Sequence, residues 1–556
     1  MIRQFRLLAL AAVAHALLAG TGVAQETTPA APAQGPANTP DGRPELPLSL
    51  QDVVTRALEN NVDIAVERFN PQASEENVRE LQGFYEPLLY STLLSNSRTD
   101  PARNVFAGAE AVDTATYTYD FGGLKELQTG GNLRVDFTNS RSSTNSVFST
   151  FNPSFGSNFN AQLTQPLLRG FRIDATRYQI RVARNNRQIS EVQFRQTVVN
   201  TVANVRSLYN DLLYAIDNLE AQRQSLALAR RLLEENEIRV RVGTMAPLDV
   251  VAAESEVASR EETVILAEAA VLDAEDAIKR SIFPESDPTT WASRIVPTDR
   301  PTAEPIAVDT DAAVRNALEK RTDLFAARKN LENAESAVQL ANNQELPRID
   351  LVASYGTTGI GGTQIEREGL GGTIIRTVPG GYGDALGNVF GRDFPTWTLG
   401  FNISYPIFNR SADAAEARAE LSREQTRATL RRLEMLVTAE VRSAVRAVET
   451  NLKRVESTRA ARVLQERRLD AEEKRFAAGM STNFFVTQAQ RDLALAQVAE
   501  LRAIADYRNS LVNFERVQEA GGGVSFAGSS GGTASRSTGT QGAQAGGSGG
   551  GQNQQP

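Results

Sequence analysis

A stretch of 70 residues without glycine or proline, from Arg172 to Arg241, dominates the hydrophobic pattern of the chain. Apolar side chains recur within it every seven residues, at Val198, Val205, Leu212, Leu219, Leu226, Leu233 and Val240. Val202, Tyr209 and Ile216 occupy the companion position four residues further on. The pattern predicts one helix of roughly 105 Å that packs against neighbouring helices in a left-handed supercoil.

Two other segments, 86–166 and 349–406, show the two-residue alternation that is typical of β-strands. Their cleanest runs set apolar side chains such as Phe159 and Leu399 against small polar residues over about 9–10 positions. Outer-membrane barrel strands alternate in this way, with apolar side chains toward lipid and polar ones toward a lumen. A soluble sheet that is buried on one face has the same alternation, and strand length decides between the two only in part.

Each segment is predicted to contribute two long strands, which gives four strands per chain. Four strands cannot close a barrel, and open strand edges are not tolerated in lipid, so several chains must share one barrel. A further hairpin is predicted around Gly130, at about 115–139, and could either add strands to the barrel or lie outside it. We expect it to form an extracellular or rim extension.

Aromatic residues near the strand ends are predicted to form a girdle at the membrane interface. They are Tyr90, Tyr355, Phe394, Trp397, Tyr405 and Phe408. No run of 18 or more apolar residues follows the first 24, so the sequence predicts no transmembrane helix.

The order of short helix, strands, long helix and short helix occurs twice. We predict a first repeat at 49–282 and a second at 310–518, joined by a Pro-rich linker at 283–309 that lies at mid-height. An ungapped offset of 260 relates Leu58, Asp63, Arg68, Val78 and Pro87 to Leu318, Asp323, Arg328, Val338 and Pro347. The second long helix is predicted at 411–478. In each repeat two short helices of about 35 residues sum to the long one, so they should stack end to end beside it.

The two ends of the chain differ from the rest in composition. Residues 1–24 combine a charged start at Arg3 and Arg6 with an apolar core and small residues at the cleavage position, which predicts a secretory signal peptide. Residues 25–48 form a Pro/Ala-rich arm. The Gly/Ser/Gln-rich tail at 519–556 is predicted to be disordered.

Composition argues against nucleic-acid binding and against most enzymes. The formal net charge is -8, and the chain has no cysteine. Its one histidine, His15, lies in the predicted signal peptide, so the mature chain has none. Thiolate zinc sites, histidine-ligated metals and histidine-based catalysis are therefore excluded. We predict no catalytic residue, no cofactor, no metal site and no nucleic-acid partner.

Both long helices are predicted to end at glycine-containing tips. The tip residues are Val242, Gly243, Thr244 and Leu248 in the first repeat and Ala478, Gly479 and Met480 in the second. Prolines stand at both strand-to-helix joins, at Pro166 and Pro406. With these tips, these prolines and the duplicated plan, residues 49–518 resemble the TolC-type outer-membrane efflux protein family.

The resemblance implies a fold and a function. The fold is α plus transmembrane β: a homotrimeric barrel of twelve strands in the cell outer membrane, continuous with a long α-helical barrel in the periplasm. The tips would dock on a periplasmic adaptor (membrane fusion) protein that is joined to an inner-membrane transporter. The protein would be a passive conduit of tripartite efflux or type I secretion, exporting small molecules or proteins. The sequence does not identify the exported substrate.

The family narrows its periplasmic end with polar contacts near the tips, and the resemblance places a candidate gate here. The candidate gate residues are Asp249, Phe476, Phe484, Phe485 and Gln488. Asp249 keeps the acidic type in the first repeat, but Phe485 stands at the equivalent position of the second. We expect a partly hydrophobic constriction around Phe484 and Phe485. An equally weighted alternative is that both side chains pack the core of the tip.

A protein of a different class would use the same helices. A periplasmic or surface coiled-coil scaffold with a small sheet and no pore accounts for the heptads equally well. The two hypotheses differ in their solution behaviour, because a scaffold would be soluble or peripheral and would not conduct ions across a bilayer.

Overall fold

The computed structural model describes residues 43–101, 110–283, 291–300, 304–369 and 371–521. The predicted signal peptide, most of the arm and almost all of the tail lie outside these ranges. None of the described helices is long and apolar enough to span a membrane. The chain divides into a small unit, which includes residues 43–49 and 291–300, and a large unit that holds the other described residues.

The small unit is a two-stranded parallel sheet. β1 (Glu45–Leu48) pairs with β6 (Arg294–Pro297), and Leu48 and Ile295 are buried in it. The sequence predicts an arm and a Pro-rich linker for these residues. The structure corrects both predictions. The reason is physical: strands of four residues that lie about 250 residues apart carry no periodic signal of their own.

Two long helices and their shorter partners make up most of the large unit. α4 spans Ala175–Arg241 and α9 spans Arg410–Ala477, each within three residues of the predicted bounds. The other helices are α1 (Leu50–Asn60), α2 (Val62–Glu67), α3 (Phe69–Gln82), α5 (Pro247–Ile282), α6 (Thr310–Lys320), α7 (Thr322–Glu345), α8 (Tyr382–Gly391) and α10 (Asn483–Glu519). Asp174 caps α4, since its Oδ1 accepts a hydrogen bond from the backbone N–H of Arg177 at 2.7 Å.

The helix that precedes the strands is broken at matching places in the two repeats. α1 ends before Asn61 and α6 ends before Arg321, and these positions are 260 residues apart (321 minus 61). Asn61 starts α2, because its side-chain oxygen accepts from the N–H groups of Asp63 and Ile64 at 3.0 and 3.2 Å. Arg321 instead extends toward neighbouring helices and is 1% exposed.

Short helices lie one after another along each long helix. α4 contacts α3 and α7 in the half nearer the strands, and α5 and α10 toward its other end, while α9 contacts α7 and α10. A polar pair joins α4 to each of these four helices. In the order α3, α7, α5 and α10, the pairs are Arg187–Glu75 at 2.9 Å, Asn185–Asn333 at 2.7 Å, Arg223–Glu268 at 2.8 Å and Asn210–Asn509 at 3.1 Å. The heptad residues Val205 and Leu212 are buried between these helices. Four helices therefore lie side by side at each level of the large unit.

The strands of the large unit form one antiparallel sheet. They are β2 (Leu88–Pro101), β3 (Ala111–Glu126), β4 (Asn132–Thr144), β5 (Phe151–Pro166), β7 (Arg348–Arg367), β8 (Ile374–Val378) and β9 (Pro395–Ser404). Their order is β2-β3-β4-β5-β7, and both β8 and β9 pair with β7, at different heights.

The prediction of four strands per chain is wrong, because the described residues place six long strands and the short β8 in this sheet. The hairpin predicted at 115–139 is β3–β4, and it lies between β2 and β5 instead of forming a rim extension. Polar residues such as Asn139 and Arg141 interrupt the alternation of its apolar face, so the sequence predicts the hairpin but does not place it inside the sheet.

One face of the sheet is apolar and the other is polar. Residues that are paired across strands share a face, so the register assigns them. The apolar face carries Leu89, Phe121, Val135, Phe137, Phe159, Leu163, Leu351, Tyr355, Trp397, Leu399, Phe401 and Ile403. The polar face carries Asp136, Asn158, Asn160, Gln162, Thr398 and Asn402. This division is the one expected of strands between lipid and an aqueous lumen.

α8 lies against β5 and β7 on the apolar face. Gly359 permits this contact, because a Cβ atom there would lie 2.0 Å from the carbonyl oxygen of Ala385 in α8. The helix covers two polar side chains of the apolar face, Asn139 and Ser157, which are 2% and 1% exposed. Tyr382 of α8 donates a hydrogen bond to the Asn139 side-chain oxygen at 2.7 Å.

Candidate functional site

The two helical tips are turns of the same kind, built by the backbone. Gly243 and Gly479 have φ values of 84° and 74°, in the left-handed region that favours glycine. After α4, the N–H groups of Gly243 and Thr244 donate to carbonyl oxygens of Val240 and Arg239 at 2.9 and 2.8 Å. The turn after α9 repeats both bonds, at 3.1 and 2.8 Å. This is the Schellman arrangement, which satisfies the last carbonyls of each helix.

Phe476 packs the interior of the second tip. It is 5% exposed and lies in a cluster with Leu232, Leu469, Val486, Ala489 and Leu493. The Arg239 guanidinium lies 4.1 Å from the centre of its ring and also donates to its carbonyl oxygen at 3.3 Å. Phe476 thus joins α4 to α9, and its side chain supports the tip instead of facing a passage.

The outer surface of the tips is unusually apolar. The large apolar side chains exposed there include Val242, Leu248, Met480, Phe484 and Phe485. The rings of Phe484 and Phe485 meet edge to face with centroids 5.6 Å apart. Among the described residues these two phenylalanines are not part of the buried tip cluster. The chain alone thus leaves an apolar surface at the tips, of the kind that marks contacts with other proteins.

The two short tip helices, α5 and α10, are tied together by polar contacts. The Asn483 side chain donates to the carbonyl oxygen of Asp249 at 3.2 Å. About two helical turns further along, the Arg491 guanidinium binds the Glu256 carboxylate through Nε at 2.9 Å. Asp249 itself is half-buried, and its contribution here comes from the backbone. These contacts join residues more than 230 positions apart, and no local pattern in the sequence indicates them.

Gln488 lies in a polar chain on the same helix. Its amide donates to the Asp492 carboxylate at 2.8 Å, and Asp492 accepts from Arg468 of α9, also at 2.8 Å. The candidate gate residues are therefore placed in three settings. Phe476 is in the core, Asp249 and Gln488 are half-buried in polar contacts, and only Phe484 and Phe485 are exposed.

Glu256 is the tip carboxylate whose charge matters most for this arrangement. It is 6% exposed. Burial by itself raises the pKa of its carboxyl, but hydrogen bonds and charges from Arg491 and Arg260 outweigh burial and hold the pKa below the ordinary value. The contribution of this carboxylate to stability is therefore complete above its ordinary pKa of 4.5 and is lost as the pH falls through the lowered value.

Glu256→Gln is expected to destabilise the protein at pH 7 by about 1–2 kcal/mol, since charge-assisted hydrogen bonds are replaced by neutral ones. The difference from the unmutated protein should shrink once the pH falls below 4.5. Thermal unfolding followed by circular dichroism between pH 3 and 7 would measure this. Glu268→Gln is the matched control, because its pair with Arg223 is exposed and should contribute little at any pH. A difference that stays constant down to pH 3 would contradict the assignment.

The polar face of the sheet carries a cluster of Tyr90, Asp136 and Arg134, and its position corrects one prediction from the sequence. Tyr90 is predicted in the membrane-interface girdle, but it lies on the polar face and donates a hydrogen bond to Asp136, which also binds Arg134 at 2.7 Å. The correction follows from strand parity, because Leu89 and not Tyr90 shares the face of Trp397. Tyr355 and Trp397 are direct partners on the apolar face. Tyr405 is exposed immediately after β9.

The described residues show no cluster of metal-binding side chains. They contain no group of three or more histidine, cysteine, aspartate or glutamate side chains placed to hold a metal ion. The tips offer an apolar surface for contact with other proteins. The sheet has one face suited to apolar surroundings and one suited to polar surroundings.

The sequence profile of one protein family, described as "Outer membrane efflux protein", matches residues 127–282 and 313–517. The chain is also similar to the outer membrane protein TolC of Vibrio cholerae serotype O1. The two are 22% identical over 332 residues, which is 59% of this chain and 69% of that protein.

Solved structures agree on the fold. A membrane protein from Pseudomonas aeruginosa is similar with a TM-score of 0.60 at 18% identity, over 90% of this chain and 97% of that one. The CmeC outer membrane channel of Campylobacter jejuni is similar with a TM-score of 0.57 at 16% identity, over 84% of this chain and 85% of that one.

Proposed function

Because this chain belongs to the outer membrane efflux protein family, we propose that it forms a homotrimeric channel-tunnel through which small molecules or proteins leave the cell. It is a channel protein of the cell outer membrane with a helical extension into the periplasm, and its family is not one of enzymes. The sheet is the membrane-spanning part, and the helices form the periplasmic tunnel. Passage is passive, and energy comes from an inner-membrane transporter.

The two-faced sheet is the observation that carries this proposal. Its apolar face suits lipid and its polar face suits a water-filled lumen. In the described residues its outer strands, β2 and β9, each pair on one side only, and a sheet with open edges cannot stand in lipid. Closure by further copies of the chain meets this requirement, whereas a scaffold in water would gain nothing from the apolar face.

The apolar tip surface supports docking of a periplasmic adaptor protein. Val242, Leu248 and Met480 are 73%, 77% and 69% exposed at turns whose backbone bonds are already satisfied. These side chains contribute nothing to the folding of the single chain, so they are available to a partner. The adaptor in turn would connect the tunnel to the transporter.

Reconstitution into planar bilayers tests the proposal directly. Purified protein should run as a trimer by light scattering and should give discrete single-channel currents. A monomer without conductance would refute the channel and would favour the scaffold.

The same assay tests the gate. Phe485→Ala is expected to raise the single-channel conductance severalfold, because it removes an exposed ring at the narrow end of the tunnel and leaves the buried tip cluster intact. Leu495→Ala is the matched control, since it removes an exposed apolar side chain three turns further along α10. Unchanged conductance in Phe485→Ala would exclude this residue from the constriction.

A further inference from the structure

The two outer strands of the sheet are long and unprotected. β2 has 14 residues and β9 has 10, and each pairs on one side only in the described part of the chain. Leu93 of β2 and Leu399 of β9 are 77% and 64% exposed. In the described residues neither edge is covered by a helix or loop of the kind that soluble proteins use to prevent pairing, and the charged pair Arg98–Asp100 stands only at the far end of β2. Both edges are therefore built to receive a further strand.

β3 and β4 are integral to the wall between these edges. Their connecting turn lies at the strand-to-helix join, where Thr129 donates to the Gln165 side-chain oxygen at 2.7 Å and Gln165 donates back to the Thr129 carbonyl at 3.1 Å. The hairpin thus spans the same height as its neighbours.

A cross-strand contact on the polar face joins β2, β3 and β4. The Tyr90 ring crosses β3 at Gly122, where a Cβ atom would lie 2.3 Å from the ring, and its hydroxyl reaches Asp136 of β4. Only a residue without a side chain leaves room for this crossing. The hairpin is therefore fitted into the sheet and not appended to it.

The number of strands has a geometric consequence. Six antiparallel strands leave β2 and β9 running in opposite directions, so β9 of one copy can pair antiparallel with β2 of the next.

From these observations we infer that the assembled barrel has eighteen strands, six from each of three copies, in place of the twelve that the family resemblance implies. β2 of each copy pairs with β9 of its neighbour, with Leu89, Leu93 and Leu399 toward lipid. The cross-section of this barrel is about twice that of a twelve-stranded barrel, because diameter grows with strand number. The inference rests on the proposed function for the trimer and adds the number of strands and their pairing.

Cysteine cross-linking in the membrane-assembled protein tests the pairing. The native chain has no cysteine, so every cross-link comes from the introduced pair. Leu89, Ser91 and Leu93 are each changed to cysteine in combination with cysteine at Trp397, Leu399 or Phe401, and a short thiol cross-linker is added. Inter-chain products should appear only for pairs whose residue numbers have one constant sum, as antiparallel pairing requires. Leu94→Cys, on the opposite face, is the matched control and should give none with Leu399→Cys.

Electron cryomicroscopy of the unmodified protein in nanodiscs counts the strands. Eighteen strands in a conducting trimer, with the cross-links above, support the inference. Twelve strands in a conducting trimer, with β2 beside β5, overturn the inference and leave the proposed function standing. A protein that neither trimerises nor conducts would remove the proposed function and the inference with it.

Discussion

Arg321→Met is expected to lower the free energy of unfolding by roughly 2–4 kcal/mol, because it leaves two half-buried carboxylates without the buried cation that pairs with them. Arg321 donates to Asp323 at 2.7 Å, to Glu440 of α9 at 2.6 Å and to the carbonyl oxygen of Val517 in α10 at 3.2 Å. It thereby joins the start of α7 to two other helices. Thermal and denaturant unfolding in detergent, followed by circular dichroism, would measure the loss.

Two further variants make the Arg321 prediction specific. Arg328→Met removes an exposed arginine from the same helix and should change stability by less than about 0.5 kcal/mol. Adding Asp323→Asn and Glu440→Gln to Arg321→Met should recover part of the loss, since the unpaired charges are then gone. If the triple variant is no more stable than Arg321→Met, the cost comes from lost packing and not from charge.

Gly359→Val is expected to detach α8 from the sheet. The new Cβ would lie 2.0 Å from the backbone oxygen of Ala385, and a backbone atom cannot move aside as a side-chain end can. The expected cost is about 1–3 kcal/mol. Val389 of α8, which is 4% exposed, gives the readout when it is changed to cysteine. Its labelling by a maleimide should become at least about fivefold faster, as a change of about 1 kcal/mol in docking requires.

A glycine in open space separates this effect from a general loss of strand stability. Gly400 lies in β9, and a Cβ atom there would meet no atom within 4 Å. Gly400→Val should therefore leave the labelling of the cysteine at position 389 unchanged. Equal acceleration in both variants would show that α8 responds to any change in the sheet and is not held by the close approach at Gly359.

Periodic features of the chain could be predicted from its sequence. The heptads between Val198 and Val240 give α4 almost to its ends, and the tip glycines mark where the long helices stop, because both signals are local. The alternation around Phe159 and Leu399 gives β5 and β9 and their apolar face. What it could not give is the number of strands, since the polar Asn139 of β4 interrupts the apolar face at the place that α8 covers.

Contacts between distant segments could not be predicted. Arg321 is one arginine among many in the sequence, and only the packing of three helices reveals that it is buried. The same holds for Glu256 and Arg491, which meet because the helix pairs α4–α5 and α9–α10 lie side by side. Phe476 is a related case. Periodicity places this residue on a helix but does not say which side of that helix faces a neighbour. Tyr90 shows that an error of one residue in strand parity assigns a side chain to the opposite face of the sheet.

The backbone construction of the two tips has a consequence for how such a protein can change partners. Thr244 and Met480 enter their turns through main-chain N–H groups, and the glycines before them supply the required backbone angles. Neither turn depends on a hydrogen bond from the apolar side chains of Val242, Leu248 or Met480. Substitutions at Val242, Leu248 or Met480 can therefore accumulate without cost to folding. Evolution, or an engineer, can change the contacts that the tips offer one residue at a time while every intermediate still folds.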